Sequence, residues 1–164
     1  MSATKGLFKK FMNPVFIETG SNWGYGIEQA LDEGFKAVHS IEILDELYVH
    51  CFDKFKENKN VHLYFGDCRK ELPKILEKLN EPATFWLDAH KEDTHSFLIE
   101  ELSIIKEHKI KTHTILIDDL RCWSVARHKF NTDILKRKIL EINPDYKITL
   151  EDGHVPNDVL AATI

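Results

Sequence analysis

The chain has 164 residues, 43% of them apolar, and a net charge of −5 at pH 7 with both signs interspersed. That is enough apolar content for one domain with a single covered core, and the acidic balance excludes a surface built to grip a nucleic-acid backbone. Three widely spaced cysteines (Cys51, Cys68, Cys122) without any C-x-x-C pair exclude a disulfide framework or zinc knuckle and point to a reducing, cytoplasmic setting.

No apolar run reaches the roughly 18 residues of a spanning helix, so no membrane role is expected. Residues 1–13 read as an N-terminal extension in which Leu7, Phe8 and Phe11 pack on the chain's own domain, and residues 14–164 as that domain. The first β-favouring run, "PVFIETG", carries Glu18 at its end and leads into Gly20, Gly24 and Gly26. Ile27, Ala30 and Leu31 follow at helical spacing and are closed by Gly34. The second run, "AVHSIEI", ends at Glu42 and precedes a helical pattern of Leu47, Tyr48, Cys51, Phe52 and Phe55. The third, "VHLYFGD", ends in Gly66 and Asp67, before Leu72, Ile75, Leu76 and Leu79. "ATFWLDAH" ends near Asp88, before Leu98, Leu102 and Ile105, and "HTILIDD" ends in Asp118 and Asp119. After the helical stretch "TDILKRKILEIN", the runs "YKITLEDG" and "VLAATI" have no helix between them, only a polar loop with Gly153 and Pro156, so they pair as an antiparallel hairpin. Strands separated by helices of this length are parallel neighbours joined by right-handed crossovers. The expected fold is α/β, a three-layer sandwich around a mostly parallel seven-stranded sheet with a C-terminal antiparallel hairpin.

In such a sheet ligands lie outside the carboxyl ends of the strands, where strand order reverses. The "ETGSNWGYG" turn stands between the first strand and the first helix, the context that gives a glycine-rich turn meaning. Glu42, about twenty residues further on, is placed to accept the ribose hydroxyls of a nucleoside, and Asp67 adds a third acid to the same rim. A dinucleotide such as NAD would use the first two features as well. The turn, however, is G-x-x-x-G-x-G with Glu18 just before it. These residues, with the terminal hairpin, resemble the class I S-adenosylmethionine (SAM)-dependent methyltransferases, Rossmann-like enzymes, over essentially the whole chain from Val15 to Ile164. The resemblance implies that Glu18, Gly20, Ser21 and Gly24 cradle the methionine part, that Glu42 binds the ribose, that Asp67 and Cys68 face the adenine, and that Asp88 also borders the cofactor. Asn22 departs from the pattern, standing where many members carry a middle glycine.

"FWLDAHKED" and "ILIDDLRCW" bring Asp88, Asp118 and Asp119 to the ends of strands expected to lie about 4.8 Å apart. Three converging carboxylates call for a cation, a basic partner or protonation, and oxygen-only ligands favour a hard ion such as Mg2+ or Mn2+. Helix capping with a salt bridge to Arg121 is the bland alternative. The same residues resemble the metal site of the divalent-cation-dependent O-methyltransferases of the catechol and macrolide-sugar types. That resemblance implies Asp88, Asp118 and Asp119 as metal ligands and Lys91 as the base, with His90 as its rival. Trp86 reads as core, Trp23 as either a ligand contact or a loop shield, and Arg121 and Arg127 as candidate contacts to a polar substrate. The expectation is a metal-assisted SAM-dependent O-methyltransferase for a hydroxyl of a sugar, glycan or other small polar acceptor. The alternatives are an NAD-type oxidoreductase and a catalytically silent binding module. So short a chain leaves nothing over for a substrate cap, so a second copy or a longer polypeptide is expected to complete the pocket.

Overall fold

In a computed structural model, which describes residues 3–91, 95–124, 126 and 129–164, the strands follow the sequence pattern closely. A short helix α1 (Leu7–Lys10) precedes β1 (Val15–Thr19), α2 (Tyr25–Glu33), β2 (Ala37–Glu42), α3 (Asp45–Phe55), β3 (Val61–Phe65), α4 (Cys68–Lys78) and β4 (Ala83–Leu87). Two-residue strands β5 (His90–Lys91) and β6 (His95–Ser96) pair antiparallel ahead of α5 (Leu98–Glu107). Then come β7 (Thr114–Ile117), a 3-10 turn (Leu120–Cys122), α6 (Thr132–Ile142), β8 (Lys147–Glu151) and β9 (Val159–Thr163). The main sheet has seven strands in the order β3-β2-β1-β4-β7-β9-β8, parallel except for β9, which runs antiparallel to both neighbours.

Alternation along the strands divides the core between the two faces, because successive side chains point to opposite sides. Ile17, Ile41, Phe85, Leu87, Ile115 and Ile117 meet α4, α5 and α6 through residues such as Leu72, Ile75, Leu102, Ile105 and Ile139. Phe16, Val38, Trp86 and Leu116 meet α1, α2 and α3 through Phe8, Ile27, Ala30, Cys51 and Phe55. Strands β1, β4 and β7 are buried throughout, as parallel strands covered on both faces must be.

The N-terminal segment is built into the second of these layers. Phe8 is fully buried, its ring 4.8 Å from that of Phe16 and 4.9 Å edge-on to Trp86. Gly6 and Lys9 donate backbone N–H bonds to the Glu33 carboxylate, which tie α1 to the end of α2. Among the described residues, no helix is long and apolar enough to cross a membrane.

At the amino ends of the strands a histidine pair performs a structural task. Ala83 N–H donates to His113 Nδ1 at 3.0 Å, and His113 Nε2 lies 2.8 Å from His108 Nδ1. The Ala83 donor makes Nδ1 of His113 the acceptor, so its Nε2 carries the proton and His108 Nδ1 accepts. Burial, reinforced by His108 and Lys111, pushes the His113 pKa down to about 4.

Phe8→Ala removes a fully buried ring that touches two others. It is expected to lower unfolding free energy by about 3 kcal/mol in urea denaturation; a change under about 1 kcal/mol would show that the segment is not part of the core.

Candidate functional site

Strand register builds the site. Thr19 of β1 pairs with Ile41 of β2 and with Leu87 of β4, and Leu87 pairs in turn with Ile117 of β7. Gly20, Asp88 and Asp118 each stand one step past those pairs, where their strands end, and Glu42, the last residue of β2, stands at the same level. The chain fills the sheet from β1 outward to β3, then returns to place β4 and β7 on the other side. The order therefore reverses between β1 and β4, which puts the crevice of an open α/β sheet beside Gly20 and Asp88.

The turn after β1 is held from below and from the side. Gly20 and Ser21 N–H both donate to Ile41 O (2.9 and 3.2 Å), and Gly24 N–H closes the turn on Ser21 O at 2.8 Å. Gly20 has φ 87°, and a Cβ there would stand 3.0 Å from Asp88 O; at Gly24, φ 79°, it would stand 2.7 Å from the Phe55 ring. Between them Asn22 takes φ 49°, the left-handed conformation that a middle glycine supplies and that asparagine tolerates better than other side chains.

Glu42 organises the neighbouring loop. Its Oε2 accepts from Asn22 N–H, and its Oε1 from Ile43 and Leu44 N–H, each at 2.9 Å. Those three donors use three of the roughly four acceptor positions of a carboxylate. Asp67 is the N-cap of α4, accepting from Arg69 N–H at 2.9 Å and pairing with the Arg69 guanidinium at 2.5 Å. That guanidinium lies 3.7 Å over the Phe97 ring, so it also joins the starts of α4 and α5. Cys68, the first residue of α4, is buried, and burial together with Glu101 pushes its thiol pKa up.

Two buried carboxyls flank the end of β1 on opposite faces of the sheet. Glu18 accepts a 2.5 Å bond from the Ser40 hydroxyl, whose oxygen lies 2.6 Å from that of Ser21. Burial, with repulsion from Glu42, outweighs the Ser40 bond and raises the Glu18 pKa to about 8. Glu101 of α5 faces the Thr19 hydroxyl and the Cys68 thiol, and burial raises its pKa to about 7. Sequence reasoning did not single out Glu101. Its signal was an acid on the apolar stripe Leu98, Leu102, Ile105 of an amphipathic helix.

Asp88, Asp118 and Asp119 do converge: one carboxylate oxygen from each lies within 4.8 Å of the others. Asp118 is buried, its carbonyl accepting from Trp123 Nε1 at 3.1 Å. Asp119 has φ 55°, unusual for a residue other than glycine and a form of backbone strain that gathers at functional sites. Arg121 stands 2.6 Å from Asp119 Oδ1 and also binds Asp158, a buried acid of the β8–β9 loop. The salt bridge expected as the bland alternative therefore exists alongside the cluster. Arg121 is engaged with acids of its own chain, which bears against its reading as a substrate contact.

Of the remaining candidates, Trp86 is core, and Trp23 is largely exposed with its ring 4.9 Å edge-on to His50. The side chains of His90 and Lys91 and the whole of Arg127 lie outside the described residues; the backbone at 90–91 belongs to β5.

The architecture has clear relatives among solved structures. A SAM-dependent methyltransferase from Archaeoglobus fulgidus matches with TM-score 0.67 at 15% identity, over 98% of this chain and 92% of that one. An O-methyltransferase from Bacillus cereus, solved in complex with S-adenosylhomocysteine (SAH), matches with TM-score 0.66 at 15% identity, over 98% and 78%. An SAH-bound methyltransferase from Podospora anserina matches with TM-score 0.66 at 14% identity, over 95% and 74%. No protein-family model and no curated relative matches the sequence. The chain has the Rossmann-like fold of the class I SAM-dependent methyltransferases, and at these identities the likeness is one of fold.

The raised pKa of Glu18 makes stability depend on pH. Between about pH 4.5 and pH 8 the folded chain keeps a proton that the unfolded chain has lost. The contribution of the neutral carboxyl is complete below pH 4.5 and is lost as pH rises through 8. Glu18→Gln is expected to exceed the wild type in urea melts by on the order of 4 kcal/mol at pH 8 and to match it at pH 4.5. A variant less stable than the wild type at pH 8 would contradict this.

Proposed function

We propose that the protein is a SAM-dependent O-methyltransferase that works with a divalent cation, Mg2+ or Mn2+, on a hydroxyl of a sugar, glycan or other small polar molecule. One observation carries the reading: a tight glycine turn and a triad of carboxylates stand side by side at the switch point of a methyltransferase-type sheet.

The residues fit both groups. Gly20, Asn22 and Gly24 take the left-handed bends of a tight turn packed on Asp88 and Phe55, and Glu42 keeps acceptor capacity on Oε2 for a ribose hydroxyl. By the resemblance, Glu18 and Ser21 would stand on the methionine side and Asp67 and Cys68 on the adenine side. For the cation, three oxygen donors within 4.8 Å of one another form a hard set, suited to Mg2+ or Mn2+ rather than to a thiophilic metal.

SAM supplies an electrophilic methyl group on sulfonium, and a divalent cation lowers the pKa of a hydroxyl and orients it. The protein's own part is positional and electrostatic. Asp88 borders both groups, because its carbonyl lies against Gly20 while its carboxylate belongs to the triad, so the two sites are fixed relative to each other. Lys91 or His90, roles that rest on sequence position, would take the acceptor hydroxyl's proton when the methyl group is transferred from the sulfonium. An oxygen acceptor is the kind that needs such an acidic, cation-ready rim. The acidic triad itself is compatible with a polar acceptor such as a sugar.

The test is transfer of labelled methyl from SAM to a panel of sugars, nucleotide sugars and catechols, with Mg2+, Mn2+ or EDTA. Transfer is expected with metal and should fall by at least about a hundredfold with EDTA, and likewise in Asp119→Ala. Transfer undiminished by EDTA and by Asp88→Ala would remove the cation from the account.

A further inference from the structure

We propose that Arg121 is a positioning residue of the cation site: held back by Asp158 of the β8–β9 loop, it competes with a divalent cation for Asp119. The proposal rests on the metal-dependent reading above and adds to it a device that sets how tightly the cation is held.

Arg121 is fixed to Asp158 at both ends. Its backbone N–H donates to Asp158 Oδ1 at 3.0 Å, and its guanidinium donates to Oδ2 of the same carboxylate. Leu120 N–H adds a bond to Asp158 O at 2.9 Å, so the 3-10 turn that follows Asp119 is stitched to the hairpin loop by backbone as well as side chain. The same guanidinium reaches 2.6 Å from Asp119 Oδ1. One cationic group is thereby shared between a carboxylate of the triad and a carboxylate outside it.

The two acids differ in what they can do without it. Asp158 is 1% exposed, and a buried carboxylate deprived of its cation is costly. Asp119 has neighbours that can share a divalent ion. The Arg121 side chain is 43% exposed, so its guanidinium has room to shift off Asp119 while keeping Asp158. A cation arriving at Asp119 repels the guanidinium, which stays with Asp158. The tighter Asp158 holds it, the less it opposes the cation. The loop is close enough to act: a Cβ at Gly153 would stand 3.4 Å from Asp118 Oδ1 and 3.3 Å from Asp158 Cβ. The C-terminal hairpin then tunes the site as well as completing the sheet.

The experiment is a Mn2+ titration of the full chain, followed by the electron paramagnetic resonance signal of free Mn2+, for wild type, Arg121→Gln, Asp158→Asn and the double variant. Arg121→Gln is expected to tighten Mn2+ binding about fivefold and Asp158→Asn to weaken it by a similar factor. In the double variant Asp158→Asn should add nothing, because its effect runs through Arg121. Unchanged or weaker binding in Arg121→Gln would overturn the proposal, as would an Asp158→Asn effect of equal size with and without Arg121. Arg121 is a surface residue, so that arm stands even if Asp158→Asn folds poorly. Absence of Mn2+ binding in the wild type and Arg121→Gln alike would overturn the cation reading itself, and this proposal with it.

Discussion

Everything at the functional end of this molecule depends on the level at which β1, β4 and β7 stop. Parallel register aligns Thr19, Leu87 and Ile117, and the residues that follow are a glycine and two aspartates. A slip of one residue in β4 would turn Asp88 to the opposite face and bury a charge in one of the apolar layers. The hydrophobic alternation of Phe85, Trp86 and Leu87 forbids that slip, since each side chain already fills its own layer. Core packing in the middle of the sheet thus fixes the position of charged groups at its edge.

Those charged groups are numerous, and the structure moderates them in three ways. Burial favours the neutral forms of Glu18 and Glu101, raising both pKa values. Backbone N–H groups solvate Glu42 and Asp67, the second at a helix N-terminus where the dipole also favours an anion. A guanidinium serves Asp119 and Asp158 together. Keeping this many acids at one rim lowers stability, as the alkaline cost of Glu18 illustrates, and sites of ligand binding are where such a cost is ordinarily found.

Much of this was legible in the sequence because the signals were local. Strands β1 to β4, β7 and the hairpin follow from β-favouring runs, and the helices from their apolar spacing. The acid after each strand marks the rim. Glu18, Glu42 and the triad were placed by that logic alone. What escaped depends on contacts distant in sequence. Asp158 meets Arg121 from 37 residues away, and Glu101 meets Thr19 and Cys68 across three elements. The conformation of Asn22 was likewise hidden, since a residue type does not declare its φ. Arg121 was read as either a partner of the aspartate trio or a substrate contact; its second partner, Asp158, escaped because nothing in "DDLRCW" announces a contact with the hairpin.

The central claim is that the crevice between β1 and β4 receives SAM, and a calorimetric titration of SAH tests it most directly. The account predicts binding with a Kd on the order of micromolar, weakened at least about tenfold in Glu42→Ala, which loses the ribose acceptor and the anchor of Asn22, Ile43 and Leu44. No heat of binding to the folded wild type, with or without Mg2+, would contradict the account.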